Sequence, residues 1–290
     1  MSLPHGYIPP PRELDLDHPH PSRVSDYLLG GGAHWAVDRE FADTLCASHP
    51  CFTEIIRAGR GFLHRVVAHL VRRGVRQILD IGAGMDTITN THEIADATAT
   101  GCRVVYLDHD PIAVAHLNAR LDEIGDPARH TVITADLRGP EELWRRVRGT
   151  GLLDLDQPVA VLMIGVLHWT QPGPDGGDIT PQAVTRHRAL MPPGSYLALS
   201  HLTDDGIPDP HALSDIQRRL TASTNPVTLR SQPQIRALLG EFTLQHPGMT
   251  WAPQWHPDNT DDTGDTTTRS SRATPHACAL FTGLAQKPHN

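Results

Sequence analysis

The stretch from Arg76 to Thr87, RQILDIGAGMDT, constrains this chain more than any other. Ile78, Leu79 and Ile81 form an apolar run with no periodic polar break, the pattern of a strand buried on both faces. Asp80 interrupts the run, and Gly82 and Gly84 follow it. A helix-like segment, ITNTHEIADATA, leads into a second apolar run, CRVVYLDHD, which ends on Asp108 and Asp110. Strand, glycine turn, helix, strand, acid is the order in which an α/β sheet holds a nucleoside. The glycines let the backbone approach the ligand, and the acid accepts hydrogen bonds from ribose hydroxyls.

The same stretch discriminates between nucleosides. A dinucleotide site uses G-x-G-x-x-G, with a third glycine opening the helix beside a pyrophosphate. Here that position is Thr87, preceded by Asp86, whose carboxylate would repel a pyrophosphate. A cationic, phosphate-free adenosine derivative tolerates Asp80 and Asp86, and S-adenosylmethionine, a sulfonium, is such a ligand. NAD is disfavoured.

Charge and length narrow the partners. With 290 residues, 39% of them hydrophobic, the chain can bury one large core or two small ones. A net charge of −8 provides no general attraction to nucleic acid or to an anionic membrane. No apolar run is long enough for a membrane span, and the first residues lack a signal-peptide core, so the expected location is cytoplasmic. The four cysteines show no C-x-x-C pairing, and the 19 histidines are scattered, so no metal site is expected.

Residues 1–21 are Pro- and His-rich and read as a mobile tail. Residues 22–74 read as a helical block: a short helix capped by Ser22 and ended by Gly30–Gly32, a second from Trp35 to Ala47, and a third from Phe52 to Arg72. Such a block suits a lid over the carboxyl edge of a sheet. From residue 75 to 290 strands and helices alternate. Strands are expected at Arg76–Ile81, Arg103–Leu107, His130–Thr134, Val159–Gly165 and Ser195–Ser200, then at Phe242–Gln245 and Ala277–Ala285. The alternation requires crossovers and hence a parallel, doubly wound sheet, with the last pair of strands antiparallel. The Asp/Thr/Ser-rich residues 257–275 read as a flexible loop.

Several strings then coincide: SRVSDYLLGGGAHWAVDREFA, RAGRGFLHRVV, ILDIGAGMDTITNTHE, VVYLDHDP, TADLR, VAVLMIGVLHW, PGSYLALSH and PVTLRS. In order and spacing they resemble a family of actinobacterial S-adenosyl methyltransferases once grouped as a domain of unknown function. The resemblance spans Ser22 to the C-terminus. It implies an α/β, Rossmann-like, seven-stranded methyltransferase sheet with its last strand antiparallel and an N-terminal helical lid. It also implies S-adenosylmethionine as cofactor, and it assigns no acceptor.

Roles follow for individual residues. Asp80, Gly82 and Gly84 should line the methionine part of the ligand, and Asp108, flanked by His109, should take the ribose hydroxyls. Asp110 could equally cap the helix starting at Pro111. By its place in the family, Asp136 would accept from the adenine amino group, with Leu137 supplying a backbone N–H. Arg60 is the preferred clamp for the methionine carboxylate, and Tyr27 a candidate to stack on adenine or line the acceptor pocket. His168, after the fourth strand, is the candidate general base, on the strength of an ordinary histidine pKa near ~6.5, with His201 second. The expected activity is methyl transfer to a small-molecule acceptor. A silent protein that binds the cofactor or its product as a sensor or scaffold is the alternative.

Overall fold

A computed structural model describes residues 15–85, 89–223, 226–257 and 278–289. Asp86 and Thr87 of the glycine turn, residues 1–14 of the expected tail and nearly all of the expected loop 257–275 lie outside them. Three helices come first: α1 (Pro21–Leu28), α2 (Ala36–Ser48) and α3 (Cys51–Arg72). Alternation then runs through β1 (Gln77–Ile81), α4 (Thr91–Thr98), β2 (Arg103–Asp108), α5 (Pro111–Ile124), β3 (His130–Thr134), α6 (Pro140–Gly149), β4 (Ala160–Met163), α7 (Thr180–Leu190) and β5 (Tyr196–Leu202). The C-terminal part adds α8 (Pro210–Ala222), α9 (Gln232–Leu238), β6 (Thr243–Leu244), β7 (Thr250–Trp251) and β8 (Leu280–Gln286).

Every residue of β1 and β4 is buried, as unbroken apolar runs in a covered parallel sheet should be. The strand order is β3-β2-β1-β4-β5-β8-β6, with β7 also paired to β8. β1 to β5 are mutually parallel, and β8 runs antiparallel to β5. The expected seven strands are therefore present, and an eighth, β7, joins them. β6 and β7, two residues each, sit end to end on the far edge of β8, pairing with its last and early residues respectively. Helical crossovers step outward from β1 through β2 to β3, and the other way from β4 to β5. The order therefore reverses between β1 and β4, and a crevice opens at the carboxyl ends of those two strands.

Local signals fix the helix ends. Gly74, at φ +93°, closes α3: its N–H bonds to Val71 O at 3.0 Å, and that of Val75 reaches back to Leu70 O at 3.1 Å. Asp110 caps α5, accepting from Ile112 N–H at 2.9 Å with Pro111 in the first helical position. α1 begins two residues earlier than the sequence indicates: Pro21 takes the first position and His20 the cap, and Ser22 lies inside the helix.

The N-terminal helices are tied together by two buried acids. Asp38 accepts from Arg23 Nε at 2.8 Å, from His20 N–H at 2.9 Å and from Trp35 N–H at 2.9 Å. Asp26 accepts from Ala33 N–H at 2.6 Å, fixing the turn after the three glycines. Arg23 also donates to the carbonyls of Asp15 and His18, so the described end of the expected tail is anchored on α1. Phe62, Val66, Val67 and Leu70 of α3 are fully or almost fully buried in the same apolar core as the strands. The first half of α3, by contrast, overhangs the crevice.

Candidate cofactor-binding site

A cavity of about 580 Å³ fills the crevice. Its floor is the carboxyl edge of the sheet: Asp80 to Gly84 after β1, Leu107 to His109 at β2, Ala135 and Leu137 after β3, Ile164 to Val166 after β4, and the paired ends Leu202 and Leu280 of β5 and β8. Its roof is α1, the Phe52–Leu63 stripe of α3, and Leu220 of α8. A hydrogen bond between His49 Nε2 and Asp215 Oδ2 at 2.6 Å ties the loop between α2 and α3 to α8.

The glycine turn is shaped for close approach. Gly82 and Gly84 have φ of +74° and +70°, a left-handed conformation that a side chain strains. A Cβ on Gly82 would lie 2.5 Å from Val166 Cγ2. Gly82→Ala is therefore expected to destabilise the protein by about 2–4 kcal/mol, backbone strain and overpacking together. A thermal denaturation curve coincident with that of the wild type would show that the turn relaxes freely.

Asp108 is 6% exposed at the end of β2. Gly84 N–H donates to its Oδ2 and Asp110 N–H to its Oδ1, both at 2.9 Å. The two bonds fix the carboxylate plane against the glycine turn and leave each oxygen capacity for a further donor. His109 Nδ1 stands 3.5 Å from Oδ1. Asp80 also lines the cavity, and Thr91 Oγ1, in the first turn of α4, donates to its Oδ2 at 2.6 Å. Arg60 lines the cavity from α3 and donates through Nη2 to Thr89 O. Among the described residues the β1/β2 end thus carries two carboxylates and one guanidinium, a balance that suits a cation and disfavours a pyrophosphate.

Two expected residues lie elsewhere. The Tyr27 hydroxyl donates to Asp43 Oδ1 at 2.9 Å on the exposed side of α1, and the ring packs edge-on against His34. Tyr27 is not in the cavity wall. Asp136 is also outside it: its carboxylate accepts from Arg138 Nε, Nη2 and N–H at 2.6–3.0 Å. Burial would raise the Asp136 carboxyl, but the Arg138 bonds and charge outweigh it and hold it below the usual carboxylate range. Leu137 does line the cavity, and its carbonyl accepts from His187 Nε2 at 2.8 Å.

His168 lines the cavity beyond β4, in contact with Trp169. Burial, followed by the neighbouring His201 and Arg230, depresses its pKa to about 3. That corrects the premise of a base poised near neutrality: the ring is neutral at pH 7 but only weakly basic. Its Nδ1 is buried without a partner. His201 is also neutral at pH 7, its pKa about 3 through burial and Arg230, with Nδ1 against Leu202 O at 2.7 Å and Nε2 facing Arg230. Arg230 was not singled out by sequence. It donates to His201 Nε2, to Leu167 O at 3.2 Å and to Asp178 Oδ2, holding the segment after β4 in place.

With this geometry in view, the similarities of the chain become specific. A family model described as S-adenosyl methyltransferase matches residues 8–288. The chain belongs to this family. Members use S-adenosylmethionine as cofactor, and the chain is accordingly an S-adenosylmethionine-dependent methyltransferase. It is similar to a Thermobifida fusca protein described as a candidate methyltransferase, at 32% identity and TM-score 0.81 over 94% of this chain and 97% of that one. It is equally similar to a duf574 family protein of Streptomyces avermitilis, at 30% identity and TM-score 0.82 over 94% and 98%. An O-methyltransferase family protein of Burkholderia thailandensis, 14% identical over 78% of this chain and 55% of that one with TM-score 0.51, shares the fold alone. No curated protein matches the chain significantly.

The family's cofactor fits the residues present. A left-handed turn with glycine at two of its three positions, a carboxylate oriented at the end of β2 and a carboxylate-rich end are compatible with a sulfonium nucleoside. Among the described residues, no group of His, Cys, Asp and Glu is placed to hold a metal ion, and no helix is long and apolar enough to cross a membrane.

Proposed function

We propose that the chain transfers the methyl group of S-adenosylmethionine to a small-molecule acceptor, with nucleic acid and membrane surfaces outside its range because of its net negative charge. The observation that carries the reading is the Asp108 carboxylate, aimed by two backbone N–H groups beside the glycine turn at the wall of a 580 Å³ cavity.

Asp108 accepts from the ribose hydroxyls, and Asp80 with the turn at Gly82 and Gly84 receives the ammonium end of the methionine part, while Arg60 takes its carboxylate. Leu137 borders the adenine through its backbone, without Asp136, whose oxygens Arg138 occupies. When bound, the cofactor supplies a methyl group whose bond electrons return to sulfur as an acceptor lone pair forms the new bond. Residues 22–74 roof the cavity and keep water from the site, and 75–290 form the cofactor-binding domain. His168 is too weak a base to deprotonate a resting hydroxyl. It can take the far more acidic proton of an acceptor that has just been methylated, at Nε2, because Nδ1 is closed off.

Asp108→Ala is expected to lower affinity for S-adenosylhomocysteine by about 100-fold or more, the loss of two hydrogen bonds to a charged acceptor. Isothermal titration calorimetry checks it. Affinity within a factor of three of the wild type would remove the ribose assignment.

A further inference from the structure

The cavity is divided by the strand order. β2, which carries Asp108, and β5, which ends at Leu202, are separated by β1 and β4. Three strand spacings amount to about 14 Å, so one end of the cavity lies well away from the other. Among the described residues, all the Asp, Glu, Lys and Arg side chains in its wall belong to the first end: Asp80, Asp108 and Arg60. At the second end the apolar part of the wall is formed by Phe52, Ile55 and Ile56 on α3, Leu220 on α8, and the paired Leu202 and Leu280, with His168, Trp169 and Thr170 beside them. α3 lies directly on this end, since a Cβ at Gly59 would stand 3.3 Å from Leu280 Cδ2.

Apart from His168, which is neutral and whose Nδ1 is buried without a partner, the polar side chains there are already engaged. Thr170 Oγ1 is hydrogen-bonded to Thr228 Oγ1 at 2.8 Å, and Gln171 Nε2 donates to Trp169 O at 2.9 Å. Trp169 Nε1 donates to Gly165 O at 3.0 Å, which fixes the indole. Arg230, the nearest cation behind the wall, is committed to Asp178, Leu167 O and His201. A charged group entering this end would be stripped of water with no counter-charge, a cost that an uncharged molecule avoids.

We infer that the half of the cavity over β4, β5 and β8 is the acceptor subsite, and that it takes an uncharged, apolar, ring-sized acceptor and excludes ionised ones. The inference rests on the reading that the β1/β2 half holds the cofactor. Selectivity resides in the α3 stripe and in Leu202, Leu220 and Leu280, and it works by withholding partners from a charge rather than by recognising one.

Full-length protein saturated with S-adenosylhomocysteine is titrated with three probes of one shape, followed by ligand-observed NMR: 2-naphthol (neutral), 2-naphthoate (anion) and 2-naphthylmethylammonium (cation). Naphthol should bind at least about 10-fold more tightly than either ion. Ile56→Glu, half-buried on α3, should shift the preference at least about 10-fold toward the cation. Equal or tighter binding of an ion, an unmoved preference in the variant, or no probe binding to protein that holds S-adenosylhomocysteine would each overturn the inference. S-adenosylhomocysteine is titrated first and alone, on wild type and variant. Its failure to bind the wild type would remove the cofactor reading itself, and its binding to the variant reports folding separately. The wild-type comparison stands without the variant.

Discussion

Between pH 7 and pH 5 the folded protein is expected to lose several kcal/mol of stability, chiefly through three histidines buried in their neutral form. His168 and His201 are depressed to about 3 and His187 to about 4, in each case chiefly by burial, against an ordinary value of 6.5. Trp144 Nε1 donates to His187 Nδ1 at 3.2 Å, which leaves Nε2 to donate to Leu137 O; the neutral tautomer satisfies both partners. His201 is held in the same way between a carbonyl and the Arg230 guanidinium, which would repel an added proton. In the unfolded chain all three titrate near 6.5. Below that pH the unfolded state binds more protons than the folded one, and each histidine costs about 1.4 kcal/mol per pH unit. Their contribution is complete above 6.5 and falls as the pH drops toward the folded values. Asp136 acts in a different window: its carboxyl is held low, so its contribution begins to fall only near the ordinary carboxylate range. A loss of several kcal/mol is a large part of the stability of an ordinary domain, so the protein should be markedly easier to unfold at pH 5 than at pH 7. Denaturant curves at pH 7, 6 and 5 measure it, and a total change below about 2 kcal/mol would mean that the three rings admit protons without unfolding.

What the sequence disclosed and what it hid follow a physical division. Apolar periodicity, caps and glycines act within a few residues, so the three N-terminal helices and the strands through β5 were readable to within a residue or two. So was the pairing of the glycine turn with Asp108, because strand, turn, helix and acid are consecutive. β7 was not readable: two residues carry no period, and the pairing is dictated by the free edge of β8 some thirty residues on. Tyr27 and Asp136 show the limit from the other side. Their residue types suited the roles expected of them, but Asp43 and Arg138 lie close enough in the fold to engage both. The histidine at 168 was placed correctly at the cavity, while its pKa depended on burial that no local pattern encodes. Arg230 had no local signal at all. Its ion-pair partner Asp178 is 52 residues away. The one trace was the string PVTLRS, which the fold sets against VLHW: Val227 bridges Trp169, and Thr228 N–H donates to His168 O at 2.9 Å.

That junction makes Arg230→Ala the second large effect, a destabilisation of about 3–5 kcal/mol. Arg230 is 7% exposed and its guanidinium serves three acceptors from three separate segments. Its removal leaves Leu167 O without this donor, removes the donor facing His201 Nε2 and deprives Asp178 of its counter-charge. Asp178 keeps hydrogen bonds from Gln171 N–H, Thr180 N–H and Thr180 Oγ1, all to Oδ1, so the bare charge falls mainly on Oδ2. That residual support places the expected loss nearer 3 than 5 kcal/mol on this scale. Arg230→Lys keeps the charge but gives up the planar fork, and a single ammonium should reach the carboxylate without also reaching Leu167 and His201, recovering less than half of the loss. In a double-mutant cycle with Asp178→Asn, the coupling energy should exceed about 1.5 kcal/mol. Because Leu167 precedes His168, the variant should also loosen the segment that carries the cavity histidine. Denaturant unfolding of the three single variants and the double mutant separates these contributions. A loss below about 1 kcal/mol for Arg230→Ala would mean that the guanidinium is trapped by the fold rather than holding it together.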